Sequence, residues 1–411
     1  MNPANQGDAR ASHVDRRDGL ASRGMLSVVG AQFLSALADN ALLFAAIAAL
    51  KADTAPAWTT PLLQDFFVVS YVLLAPWVGP FADALPKGRV MMIGNLIKLC
   101  GAALVLVGVH PLPAYGLVGL GAALYSPAKY GILSELVPAE KLVKANGLVE
   151  GSTIVAILMG TIAGGIIADH SVRLAFLCVA ACYLLAALAN LGIPRLPPAH
   201  PMAEFKFHSI LSDFSDAVRL FWRARDSRFG LLGASLFWGA GSTLRFLLVA
   251  WVPVALHIND TQTPAKLNAA VAIGVAVGAA LAARLISLPQ INRVLIPGFL
   301  MGALVALLAP LQSLPATALL LVLLGAASGM FIVPINALLQ ECGHVTIGAG
   351  HAVAVLNLFV NLSMLVTVGL YTAVTHAGAP VVPTAYGFGI AIMTGIVALG
   401  WWRLRGARRS V

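Results

Sequence analysis

The chain has 411 residues, of which 59% are hydrophobic and only 10% charged, against about 25% charged in an ordinary soluble domain. Its mean hydropathy of +0.87 means more apolar surface than a soluble globule of this length can hide, which excludes a cytosolic enzyme, and the balance is the opposite of a disordered chain's. The formal charge of +9 is basic, which in a membrane chain reports on loop topology before it reports on nucleic acid.

Residues 1–24 form a polar tail with four arginines, Arg10, Arg16, Arg17 and Arg23. The first apolar run, 25–50, is too long for a signal-peptide core and reads as a retained span. Further runs cover 65–84, 90–109, 114–135, 147–168 and 173–194; after a polar segment, 195–229, come 230–256, 267–288, 293–311, 316–340, 347–375 and 383–402, then a basic tail at 403–411. The expected fold is an all-α polytopic membrane protein with 12 transmembrane helices in two six-helix bundles, 25–194 and 230–402. With the N-terminus in the cytoplasm, 20 Lys and Arg fall in cytoplasmic segments or at cytoplasmic run ends (Arg284, Arg293) and three on the outer side (Lys51, Lys266 and, at a run end, Arg173), while Lys98, Lys129 and Arg245 lie deep within spans. That asymmetry predicts cytoplasmic termini and a cytoplasmic 195–229 linker, and leaves no charge that nucleic acid is needed to explain.

In the linker, Phe207, Ile210, Leu211, Phe214, Val218 and Phe221 recur at spacings of three or four, with Arg219, Arg223 and Arg225 near the end. This predicts an amphipathic helix lying on the membrane beside anionic lipid, serving as a plain inter-bundle linker; a docking site for a partner is the alternative. The segments 120–135 and 324–341 are similar, each with a proline, Pro127 or Pro334, in the second half of its span. Repeated halves with matching broken helices are typical of transporters whose site lies between two bundles.

Charges inside apolar runs cost roughly 3 kcal/mol or more at a helix centre unless paired or wet. Asp39 and Asn40 sit deep in the first span, Lys129 in the fourth and Arg245 in the seventh, while Glu341 ends the tenth. Asp39 and Arg245 lie about ten or more residues from their span ends, so they either line a central cavity or form a structural pair. Glu150, near the start of span five, reads as a helix-end charge, and Lys98, about two turns into span three, as a snorkelling lysine. Glycines recur four apart at Gly160/Gly164 and Gly274/Gly278. They read as helix packing, and also as small residues that would let the bundles part for a lipid tail.

Enzyme chemistry has no support. No lysine follows a glycine, so there is no Walker A lysine, and there is no His-Glu-x-x-His. The His-x4-Asp pattern of glycerolipid acyltransferases occurs at His13/Asp18 and His208/Asp213, in segments too short for a catalytic domain. Cys100, Cys178, Cys182 and Cys342 lack metal-ligand spacing and read as small hydrophobes. No metal or cofactor is expected.

The turn after span two, with Gly79, Asp83, Lys87, Gly88 and Arg89, resembles the loop 2–3 signature of the major facilitator superfamily, which there serves as a cytoplasmic gate latch. The strings AQFLSALADNALLFA (31–45), YSPAKYGILSELV (125–137), KLVKANGLVEGSTI (141–154), LFWGAGSTLRFLLVAWVPVAL (236–256) and VPINALLQE (333–341) resemble more specifically the bacterial lysophospholipid transporters of that superfamily, from about residue 25 to 402. The resemblance implies a major facilitator fold in the inner membrane of a Gram-negative cell. It also implies movement of lysophosphatidylethanolamine and related lysolipids from the outer to the inner leaflet, and a cytoplasmic partner, an acyltransferase/acyl-carrier-protein synthetase. It further implies roles for Asp39, Arg245 and Glu341, with Lys129 inside one of the family's motifs. The residue types equally fit a proton-coupled exporter of drugs or metabolites, with Asp39 or Glu341 carrying the proton, or a non-transporting membrane scaffold.

Overall fold

The computed structural model describes residues 20–194, 207–347 and 349–407; the 1–19 tail, with His13 and Asp18, the first part of the linker and the last four residues lie outside this set. Among these residues thirteen α-helices of 14 to 33 residues run in chain order: α1 Arg23–Ala52, α2 Thr59–Ala84, α3 Lys87–Leu106, α4 Pro111–Leu136, α5 Ala139–His170, α6 Val172–Ala189, the linker helix α7 Phe207–Arg223, α8 Arg225–Ala255, α9 Gln262–Leu285, α10 Leu295–Leu308, α11 Leu314–Thr346, α12 Ala349–His376 and α13 Val381–Ala407. Among the described residues, eleven helical segments are long and apolar enough to cross a membrane.

The helices overrun the apolar stretches that mark them. α5 starts at Ala139 and α8 at Arg225, well before the hydrophobic runs at 147 and 230, and α13 continues to Ala407. Hydropathy reports only the turns that need lipid, whereas backbone hydrogen bonding carries a helix on into water. Local chemistry sets several starts: Ser22 accepts from Met25 N–H at 3.2 Å, Ser171 accepts from Leu174 N–H at 3.2 Å, and Pro111 opens α4 where its missing donor costs nothing.

The packing repeats. In the first half α1 packs on α5, α2 on α4 and α3 on α6; in the second, α8 packs on α12, α9 on α11 and α10 on α13. The halves meet where α2 touches α12 and α5 touches α9. The similar segments 120–135 and 324–341 fall on the equivalent helices α4 and α11, with Pro127 and Pro334 inside them.

Glycines make the tight crossings within each half. A Cβ on Gly160 would meet the Leu37 carbonyl oxygen at 2.3 Å, and one on Gly164 the Ala41 Cα at 2.5 Å. On α9, Gly274 and Gly278 press against α11, with Cβ contacts of 2.2 Å to Val322 O and 2.0 Å to Ala326 O. This corrects the expectation that these four glycines loosen the seam between halves: they close helix pairs inside each half. Gly278→Val will therefore overpack α9 on α11 and lower stability by about 1–3 kcal/mol or more, read as a lower Tm in detergent and reduced yield. An unchanged Tm would show that the crossing tolerates a side chain.

The two ends of the molecule differ. At the end holding the α1–α2 connection, Asp169 of α5 accepts from the Thr261 N–H, at 2.7 and 2.9 Å to its two oxygens, and from the Gln262 N–H at 2.8 Å. A carboxylate of one half thus caps α9 of the other. Lys51 donates to the Asp260 carbonyl at 3.4 Å, and Trp58 meets His376 edge-on at 5.0 Å. At the opposite end Gly147 and Gly151 face open space, and Glu150 and Glu341 are exposed.

At that end, α7 lays part of its apolar stripe on protein. Phe214, Ala217 and Phe221 are buried in the main core, α7 touches α2, α8 and α12, and Trp222 stacks on Phe359 at 5.1 Å. Protein covers Phe214 and Phe221 of the stripe, while Leu211 is 39% exposed.

Candidate functional site

A cavity of about 100 Å³ opens within the first half, lined by Gln32, Ser35, Asp39, Tyr71, Lys98, Ala122, Tyr125, Ser126 and Lys129. Helical spacing places these groups. Gln32, Ser35 and Asp39 share one face of α1, Asn95 and Lys98 one face of α3, and Tyr125 and Lys129 one face of α4. The α3–α4 crossing is close because it is made of glycine: a Cβ on Gly94 would meet the Gly121 oxygen at 2.8 Å, and one on Gly121 the Lys98 Cγ at the same distance. The lysine stem lies across Gly121 and delivers its ammonium to α1.

There Lys98 Nζ meets Asp39 Oδ2 at 2.8 Å and donates to Ser35 Oγ at 3.0 Å; Ser35 in turn donates to Asn95 Oδ1 at 2.8 Å. Tyr183 donates to Asp39 Oδ1 at 2.8 Å. The Lys98 ammonium also lies 5.0 Å from the Tyr125 ring centroid. Lys98 is 2% exposed and Asp39 27%, so the cation is held behind the carboxylate, and the carboxylate is the partner that water or a ligand can reach. Lys129 stands 3.7 Å from Glu150, which is half exposed.

Asp39 and Lys129 therefore lie in one cavity. Asn40, beside Asp39, instead donates to its own helix at Ala36 O, 2.8 Å. Arg245, on α8, has no hydrogen bond or ion pair among the described residues. It lies within electrostatic reach of Tyr115, a buried tyrosine of α4 that also feels Asp39. The alternative of an Asp39–Arg245 structural pair is overturned, because Lys98 holds that carboxylate. Glu341 is exposed near the end of α11, where Leu339 meets Gly230 at the start of α8, so it is not gathered with Asp39 and Lys129.

In the turn after α2, Lys87 bonds Glu135 of α4 at 2.5 Å, its stem running over Gly131, and Gly88 packs on Ile193. Both ties stay inside the first half. Arg89 is exposed, a Cβ on Gly79 would touch nothing within 4 Å, and Asp83 lies in the last turn of α2.

The snorkelling reading of Lys98 fails because it counts from the apolar run at 90. The helix begins at Lys87, which puts Lys98 roughly 16 Å along it, beyond what a lysine stem spans. Two polar stripes, Gln32/Ser35/Asp39 and Asn95/Lys98, are the signal in the sequence that points to the pair. A second charge that sequence reasoning misses is Asp65 of α2, whose Oδ1 is buried without a hydrogen bond among the described residues and whose other oxygen faces Gly369 of α12.

Two matching halves, tied at one end, with a charged intramembrane cavity, have the architecture of a secondary transporter. The profile of the Major Facilitator Superfamily matches residues 28–368. A protein of Enterobacter sp. (strain 638), named Lysophospholipid transporter LplT, is 52% identical over 93% of this chain and 97% of its own length. One of the same name from Escherichia coli O1:K1 / APEC is 51% identical over 95% and 99%. Among solved structures, a mutant form of the nucleoside transporter NupG superposes with a TM-score of 0.72 at 14% identity, covering 93% of this chain and 99% of that one. A POT family transporter in complex with 5-aminolevulinic acid gives 0.74 at 11% identity, covering 93% and 96%; at such identities the likeness is one of fold. The chain belongs to the major facilitator superfamily and, within it, to the family of the lysophospholipid transporters named LplT.

Proposed function

We propose that this chain moves lysophospholipids, lysophosphatidylethanolamine among them, from the outer to the inner leaflet of a bacterial inner membrane, with both termini cytoplasmic. The observation that carries this reading is the near-full-length identity of about half with relatives named for that cargo. The cavity's chemistry supports it. A lysophosphatidylethanolamine head carries a phosphate and an ammonium. Asp39, reachable from the cavity with a free lone pair on each oxygen, suits the ammonium; Lys129, on the same lining, suits the phosphate, as does the fork of Arg245 on α8, outside that lining. The product is then reacylated by a cytoplasmic acyltransferase/acyl-carrier-protein synthetase.

One observation favours a proton-coupled exporter instead: the Asp65 oxygen left without a partner where α2 meets α12. Both readings are tested by supplying labelled lysophosphatidylethanolamine to spheroplasts that contain or lack this chain. The lysolipid reading predicts conversion to diacyl lipid that depends on the chain and survives an uncoupler. Conversion equal in both strains would sink it, and loss on collapsing the proton gradient would favour the exporter.

A further inference from the structure

We propose that the groove between α8 and α13 binds an anionic diacyl phospholipid of the leaflet at the end opposite the α1–α2 connection, with its phosphate on Arg228. A cavity of about 310 Å³ lies there, lined by Leu232, Leu236, Gly395, Ala398, Leu399 and Trp402, with no charged side chain. α8 and α13 pack on each other and belong to neither of the main seams between halves, so the groove is separate from the central cavity.

Arg228 stands one turn before Leu232 at the mouth. Its guanidinium lies 4.5 Å from the Trp402 ring centroid and 6.0 Å from that of Trp222. Its Nε is buried with no hydrogen-bond partner among the described residues, a state that is unfavourable until an acceptor arrives. The neighbouring cations are occupied. Arg403 is ion-paired with Asp226 and donates to Asn292 Oδ1 at 3.3 Å; Arg225 donates to the Arg403 carbonyl; Arg405 packs on Trp401. Arg228 has no carboxylate within ion-pair distance among the described residues.

An apolar trough ending at an arginine that lacks an acceptor matches a phosphodiester with an acyl tail: the fork takes two phosphate oxygens, and the tail lies along Leu232, Leu236 and Leu399. Arg225, Arg228, Arg403 and Arg405 outnumber the nearby acids Asp226 and Glu341 and leave the mouth net positive. This favours a head of net negative charge over a zwitterionic one. The site is independent of the cargo in the central cavity.

The test titrates the full-length protein in detergent with phosphatidylglycerol, with phosphatidylcholine of the same chains and with inorganic phosphate, and counts bound lipid by native mass spectrometry beside Tm. Phosphatidylglycerol is expected to be retained at about tenfold lower concentration than phosphatidylcholine. Arg228→Gln should erase that preference, and Gly395→Leu, which grows into the groove, should abolish retention with Arg228 intact. Equal retention of the two lipids, wild-type retention by either variant, or an equal Tm shift with inorganic phosphate alone would overturn the proposal.

Discussion

Lys98→Met will abolish lysolipid transport and lower stability by on the order of 3 kcal/mol, the low end of the cost of breaking a buried ion pair. The loss is set by what stays behind. Asp39 keeps Tyr183 but loses the cation at 2.8 Å, and Ser35 loses a donor. Asp39 is open to the cavity, which moderates the cost. The double variant Lys98→Met/Asp39→Asn removes both charges and should recover most of the stability without recovering transport. Thermal melts in detergent beside uptake assays separate the two effects. Wild-type uptake and Tm in Lys98→Met would show that the pair is ornamental.

Arg245→Lys is expected to keep its charge and lose most transport, about tenfold or more, because a point charge cannot reproduce the two parallel bonds of a guanidinium on phosphate. Its stability should barely change, since among the described residues no hydrogen bond or ion pair depends on Arg245, and Asp39 stays paired with Lys98 in Arg245→Ala as well. Full uptake by Arg245→Lys at normal expression would show that the fork is not needed.

Much of this architecture is written in hydropathy. Apolar runs separated by short polar breaks locate the membrane helices because lipid leaves a spanning backbone no other way to satisfy its polar groups. The same signal is blind to helix ends: the polar starts of α5 and α8 satisfy the same hydrogen bonds in water. The site is half legible. Asp39 and Lys129 stand out because a charge in an apolar helix needs a reason, yet their partners do not follow from spacing along one helix. That Asp39 pairs with Lys98 and not Arg245 depends on how closely α3 approaches α4, which Gly94 and Gly121 decide in three dimensions. The paired glycines of α5 and α9 carry the same ambiguity: small residues serve a tight crossing and a parting seam alike, and only the identity of the facing helix distinguishes them.

The most direct test of the account places the purified chain in liposomes whose outer leaflet carries labelled lysophosphatidylethanolamine, and then extracts that leaflet with albumin. With wild-type protein the label should become protected from extraction over time with no ion gradient imposed, while Lys98→Met/Asp39→Asn should leave it as extractable as in protein-free liposomes. Protection by the double variant equal to that by wild type, or no protection by wild type, would contradict the account.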